Sequence, residues 1–165
     1  MKNILTAISI FLSLFINTLC AQEKQDWLTY YEKSEYLETP RYDESIRYSK
    51  MLAEKSEYIE YGTFGISPQG RELPYLIADR NKNFTPESVK KSGNAVLFVE
   101  ACIHPGESEG KDAGFMLLRD ILLIKKYPDL LKNTTLIFIP IFNVDDHERF
   151  SPYNRINQNG PKEMG

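Results

Sequence analysis

His104 and Glu107 sit three residues apart in Cys102-Ile103-His104-Pro105-Gly106-Glu107. An imidazole nitrogen and a carboxylate oxygen are suitable zinc ligands, and a catalytic zinc takes three protein ligands while leaving one position open for water. Such a metal lowers the pKa of its water and polarises a carbonyl. Pro105 disfavours helical geometry at His104 and keeps that residue extended. Gly106 permits a tight turn, after which Glu107 leads towards a helix. The spacing by itself is weak evidence: with 15 glutamates and two histidines in the chain, a chance His-x-x-Glu occurs in about one such sequence in six. The competing reading is a hydrogen-bonded histidine at a strand end and a glutamate favoured by a helix dipole. Cys102 reads as a small buried hydrophobe, with a nucleophile beside His104 as the alternative.

The elements around this pair set where it sits. Thr39-Pro40 reads as a capping hydroxyl followed by proline at the first helical position, opening an amphipathic helix over 40–55. Tyr42, Ile46, Leu52 and Ala53 mark its apolar face. Tyr58 to Phe64 and Leu73 to Ala78 read as an antiparallel pair around the turn Ser67-Pro68-Gln69-Gly70. After a polar, proline-containing loop come two uninterrupted apolar runs, Ala95 to Val99 and Thr135 to Phe142. Both suit strands buried on two faces. Gly110 to Lys126 between them is helical, with Ala113, Met116, Leu117, Ile121 and Ile124 on one face and Leu118 and Leu122 widening it. Strand, helix, strand implies a parallel pair. The predicted architecture is α/β: a mixed, mostly parallel sheet with an N-terminal antiparallel hairpin and flanking helices. Ligands of open α/β sheets bind beyond the carboxyl ends of the parallel strands. Those ends are the His104 segment and Asn143-Val144-Asp145-Asp146-His147, so both histidines of the chain fall on that rim.

Three ordered segments extend the pattern: Gly65-Ile66-Ser67-Pro68-Gln69-Gly70-Arg71, then His104-Pro105-Gly106-Glu107, then Asn143-Val144-Asp145-Asp146. Together they resemble the zinc carboxypeptidase (M14) family, matching its Gly-x-Ser-x-x-Gly-Arg hairpin, its His-x-x-Glu zinc motif and its Asn-Pro-Asp-Gly turn. The resemblance covers 40–165 and is strongest to secreted bacterial members with the stretch seen here as Arg155 to Pro161. It implies zinc as cofactor, His104 and Glu107 as its first two ligands, and Arg155 as the cation that polarises the scissile carbonyl. A solvated loop arginine is the other reading of Arg155. The implied activity is hydrolysis of a C-terminal peptide bond or related amide, with a peptide or peptide-like substrate.

Val144 and Asp146 stand where the family commonly has proline and glycine, so Asp146 is expected to tolerate a backbone conformation that glycine usually serves. The family's third zinc ligand, a histidine, and its glutamate base are expected beyond Gly165, so the chain alone is expected to be inactive. His147 is the substitute to weigh for the third ligand, with Asp145 and Asp146 weaker and Glu109 or Glu148 unsupported as a base. Lys111 and Asp112 read as surface charges.

The 165 residues carry 42% hydrophobic and 26% charged side chains and a net charge of −3. This is the composition of a globular protein, and with no basic block it gives no electrostatic support to a nucleic-acid partner. Residues 1–21 read as a secretory signal peptide: Lys2, an apolar run from Ile4 to Ile16, and small residues before a cleavage after Ala21. An uncleaved anchor and lipidation at Cys20 are the alternatives. The expected product is secreted or periplasmic, has no membrane span after cleavage, and keeps Cys102 as its one thiol. Residues 22–39 form an N-terminal segment whose aromatics pack on the body, and 40–165 form the N-terminal part of the carboxypeptidase-like domain. Two other functions fit the same features: a non-catalytic exported binding domain on a peptidase-like scaffold, and a deacylase of the same superfamily. Oligomeric state is not legible in the sequence.

Overall fold

A computed structural model of the chain describes residues 27–151; the signal segment 1–21 lies outside them. The segment before the first long helix is tied to the body, although of its aromatics Trp27 and Tyr31 are half-buried while Tyr30 and Tyr36 are exposed. Helix α1 (Tyr30–Lys33) opens with a capping box between Thr29 and Glu32. The Tyr48 hydroxyl donates to the Trp27 carbonyl at 2.7 Å. Glu32 is paired with Arg119, both side chains being 7% exposed.

Helix α2 (Tyr42–Lys55) buries Ser45, Ile46, Tyr48, Ser49 and Leu52. Its start differs from the expectation. Thr39 is not its cap, because its hydroxyl donates to Asp112 Oδ2 at 2.7 Å. Arg41 takes the cap position without a side-chain bond. The carboxylate of Glu148 serves the helix end from across the fold, Oε1 accepting the Tyr42 N–H at 2.9 Å. The positive end of a helix favours such an anion whatever its sequence separation.

Strands β1 (Ile59–Ile66) and β2 (Glu72–Ala78) pair antiparallel, with a register shift between Thr63 and Ile66. Gly70 takes φ +83° in the connecting turn, a region glycine enters without steric cost. The following loop, expected to be irregular, contains helix α3 (Pro86–Ser92), with a Thr85–Ser88 capping box, proline in the first turn and Gly93 left-handed at its end. Those are ordinary start and stop signals.

Strand β3 (Ala95–Glu100) runs parallel to β4 (Thr134–Ile139). They are linked through helix α4 (Glu109–Leu118) and a π-helical turn, Arg119–Leu123. The sheet is mixed, in the order β1-β2-β4-β3. Its parallel part, among the described residues, is the β3–β4 pair. The core lies on one face, where Leu76, Ala78, Leu136 and Phe138 meet Tyr48, Leu52, Phe115, Leu118, Ile121 and Leu122. β4 is buried as expected, but β3 is not: Val96, Leu97 and Phe98 are 53%, 51% and 53% exposed. Among the described residues β3 is an edge strand, and edge position rather than composition sets its exposure.

Helix α4 buries Lys111, Asp112, Phe115 and Leu118, while Leu117 is 44% exposed and Ala113 is also exposed. The buried face is therefore rotated from the expected one. The π turn then adds a residue to the helical repeat, which returns Ile121 and Leu122 to the core. Lys111 and Asp112 are thus corrected from surface charges to buried ones, 0% and 4% exposed. Lys111 stands on the same stripe as Phe115 and Leu118, at spacings of four and seven residues.

Candidate functional site

The ends of β3 and β4 are stitched together by main-chain bonds. Ala101 O accepts the Phe142 N–H at 2.9 Å, and Cys102 O accepts the Asn143 N–H at 3.0 Å. Cys102 itself has φ +50°, a left-handed conformation that costs a β-carbon-bearing residue of the order of 1 kcal/mol or more. It redirects the chain where the strand ends. His104, Pro105, Gly106 and Glu107 follow as one turn, with the Glu107 N–H donating to His104 O at 3.3 Å. Gly106 has φ +84°; proline second and a left-handed glycine third is the pattern of a type II turn. His104 is exposed and Glu107 half-buried. The structure thus brings the two expected ligands into a single tight turn at the strand end, just before Ser108, which precedes α4 without a side-chain capping bond.

The leading hairpin is locked to the neighbouring rim turn. Asp145 Oδ1 accepts from Ser67 Oγ at 2.8 Å and from Arg71 Nη1 at 2.7 Å, and its Oδ2 accepts the Gln69 N–H at 3.1 Å. Partial burial would raise the Asp145 pKa, but these donors outweigh it and hold the carboxyl below its usual range. Two of the three sequence motifs are therefore mechanically one unit. Asp146 needs no glycine-like backbone, because it lies inside the short helix α5 (Val144–His147) and has no positive φ. Asn143 caps that helix, its side-chain oxygen accepting the Asp146 N–H at 3.2 Å.

His147 is 1% exposed, and both of its ring nitrogens are engaged. Nδ1 lies 3.2 Å from Glu148 Oε1 and Nε2 lies 3.0 Å from Lys111 Nζ. An ionised carboxylate only accepts, so Nδ1 carries the proton and Nε2 accepts from the lysine. Lys111 Nζ also donates to Pro40 O at 2.6 Å. Burial lowers the pKa of both Lys111 and His147. Burial would raise that of Glu148, but hydrogen bonds from His147, Arg41 and the Tyr42 N–H bring it down to about 2. This chain of groups ties the starts of α2 and α4 to α5. It also removes His147 from consideration as a metal ligand, since neither nitrogen is open. Asp145 and Asp146 are similarly committed, the latter to Asn143 and Arg149.

Among the described residues no three His, Cys, Asp or Glu side chains form a group able to hold a metal ion. His104 and Glu107 have the right donor chemistry and share one turn, so they fit as two ligands of a zinc site and need a third. Arg155 lies outside the described residues. Cys102 is buried and free, and burial pushes its thiol pKa up to about 12. It remains a neutral thiol at neutral pH, which suits packing and not nucleophilic attack. The sequence reading missed the Lys111–His147–Glu148 network. Its one local signal was the stripe spacing of Lys111; the partners come from three separate elements.

Solved structures share the fold of this chain. A carboxypeptidase A from Helicoverpa armigera aligns over 77% of this chain and 32% of its own, with 18% identity and a TM-score of 0.57. Bovine thrombin-activatable fibrinolysis inhibitor, solved with a tick carboxypeptidase inhibitor, aligns over 67% of this chain and 33% of its own, with 18% identity and a TM-score of 0.53. The chain spans about a third of the length of these two structures. No curated protein matches. At such identities the structures speak for the fold; membership comes from the sequence family model described as Zinc carboxypeptidase, which matches residues 46–164. On that match over most of its length, this chain belongs to the zinc carboxypeptidase family.

Proposed function

We propose that His104 and Glu107 are zinc ligands in a carboxypeptidase-type hydrolysis of a C-terminal peptide or related amide bond. The observation that carries this reading is their placement in one type II turn at the carboxyl end of β3, bonded through Cys102 to the Asn143 rim. Zinc held there would lower the pKa of a bound water and polarise the substrate carbonyl. The chain's own part is positional. The left-handed Cys102 and Gly106 fix the turn, and the Asp145 clasp holds the neighbouring rim beside it. Arg155 is proposed to offer its positive charge to the carbonyl oxygen as negative charge develops there.

The described residues bring two ligands, one short of the catalytic complement. Zinc titration of the 165-residue chain by calorimetry should therefore show weak binding, and His104→Ala should weaken it by about tenfold or more. Equal affinity in wild type and variant would remove His104 from the site. The same preparation should leave a blocked dipeptide intact, and chelator-sensitive hydrolysis would show that it completes its own site.

Export is proposed on the sequence of residues 1–21. The corresponding measurement is N-terminal sequencing of the protein from a secreting host: a start at Gln22 supports cleavage after Ala21, and a start at Met1 overturns it.

A further inference from the structure

The rim segment that carries Asn143 and α5 is fastened to the body by few groups. Its apolar anchor is a small cluster of Cys102, Ile141 and Val144, with Tyr42 and Leu73 against it, separate from the main core. Its polar anchors are the Asp145 clasp and the buried network of Lys111, His147 and Glu148. Helix α5 has four residues, too few to persist on its own hydrogen bonds. A unit held this sparsely opens at lower cost than the core strands.

His147 Nε2 and Lys111 Nζ stand 3.0 Å apart, and that contact needs a lone pair on one of them. A doubly protonated imidazole has none, and neither has an ammonium. The pair therefore stays joined until both groups are charged. Both side chains are buried, so two positive charges there would face each other with little screening. The charged groups that face His147 are Lys111 on α4, Glu148 after α5 and Arg41 at the start of α2. Arg41, Asp112 and Glu148 also act on Lys111, and Cys102 beside it is a neutral thiol. Glu148 favours the imidazolium, but burial, with the two cations behind it, outweighs that pull and holds the His147 pKa below its usual value.

We propose that His147 is a proton-operated latch: charging it beside Lys111 releases α5 and the starts of α2 and α4 from one another as one local unit, while the sheet core stays folded. The sign follows from linkage. The closed state binds the proton less well than the open one, so opening gains as pH falls below the ordinary 6.5 of histidine. Release of α5 loosens the rim that Asn143 bonds to Cys102 O, and the zinc-type turn then loses its fixed neighbour in mildly acid surroundings. The latch works in the same way whether or not that turn holds zinc.

The test is hydrogen exchange of the full chain in the presence of chelator, followed as pH falls, with each rate corrected for the intrinsic pH dependence of amide exchange. Opening of 41–45, 108–112 and 143–148 should rise together, about fivefold from about pH 7 to about pH 5.5, while 74–78 and 135–139 keep their protection. His147→Gln should lose that rise, because its amide oxygen can still accept from Lys111 and it takes up no proton. His104→Gln should keep it, which separates the two histidines of the chain. Absence of the rise in the wild type overturns the latch, and a rise shared equally by 135–139 does so as general unfolding. A rise retained in full by His147→Gln, or lost in His104→Gln, overturns it as well. Should His147→Gln fail to fold, the wild-type ring decides by nuclear magnetic resonance: His147 should stay neutral, with its proton on Nδ1, for as long as the three segments are closed. Titration of that ring at an ordinary histidine pKa with the segments still protected overturns the proposal.

Discussion

Lys111 and Glu148, which read as ordinary charges in sequence, organise the interior together with His147. Lys111 is fully buried because the stripe it shares with Phe115 and Leu118 faces the core, and its amino group is satisfied there by Pro40 O and His147. That arrangement makes stability depend on pH with a definite sign. Burial holds His147 below its ordinary 6.5. As pH falls through that value, the unfolded chain takes up a proton that the folded chain refuses, so stability falls. A second loss follows below 4.5, the ordinary value for Glu148, whose folded carboxyl stays ionised down to about 2. Urea midpoints should therefore decrease from about pH 7 to about pH 5.5, and decrease again towards about pH 3. His147→Gln should flatten the first step and leave the second. A first step of unchanged size in that variant would assign it to other groups.

Among the elements, the contact between α4 and β4 shows how backbone proximity sets the position of the zinc-type turn. A β-carbon on Gly114 would lie 2.2 Å from the Phe138 ring, so the absence of a side chain lets α4 lie directly on the sheet. Because α4 begins two residues after Glu107, a shift of this helix moves the turn. Gly114→Ala raises helix propensity yet should lower stability by about 2 kcal/mol, the usual effect of overfilling a packed core. Denaturant unfolding measures this, and a stabilised variant would mean that Phe138 can rotate away without penalty. The clasp of Asp145 on the Ser67–Arg71 hairpin is the second such coupling. It joins residues far apart in sequence, so each half looked like a separate motif until the chain was folded.

For the whole molecule, the sheet has one covered face and one partly open. Phe98 stands in register with Ile137, which in turn pairs with Ile77, forming an apolar row that α3 covers only in part. β3 has a single strand neighbour among the described residues, and its half-exposed Val96, Leu97 and Phe98 form the kind of edge that invites pairing between copies. The 165-residue chain should self-associate as concentration rises, and Phe98→Lys should reduce this at least severalfold in light scattering. Association unaffected by the substitution would point to another surface.

Much of the architecture was legible because it rests on local rules. The amphipathic period of α2, the Ser67–Gly70 turn, the two apolar strands and the strand–helix–strand order each follow from spacing and residue type. His104 and Glu107 could be singled out by their donor chemistry and by the resemblance carried by three ordered motifs, and the proline and glycine between them made the turn legible. The misplaced features all depend on partners distant in the chain. Glu148 replaces Thr39 as the group serving α2, and Thr39 instead bonds Asp112. Lys111 lies inside because Pro40 and His147 meet it there. β3 is exposed because its strand order, and not its composition, places it at an edge. The sequence by itself determined the elements and the residue types of the zinc-type turn, through steric and hydrophobic preferences acting over a few positions. Only the tertiary structure decided which charges are buried and which histidine is already committed, because burial and hydrogen-bond satisfaction belong to contacts that no local spacing encodes.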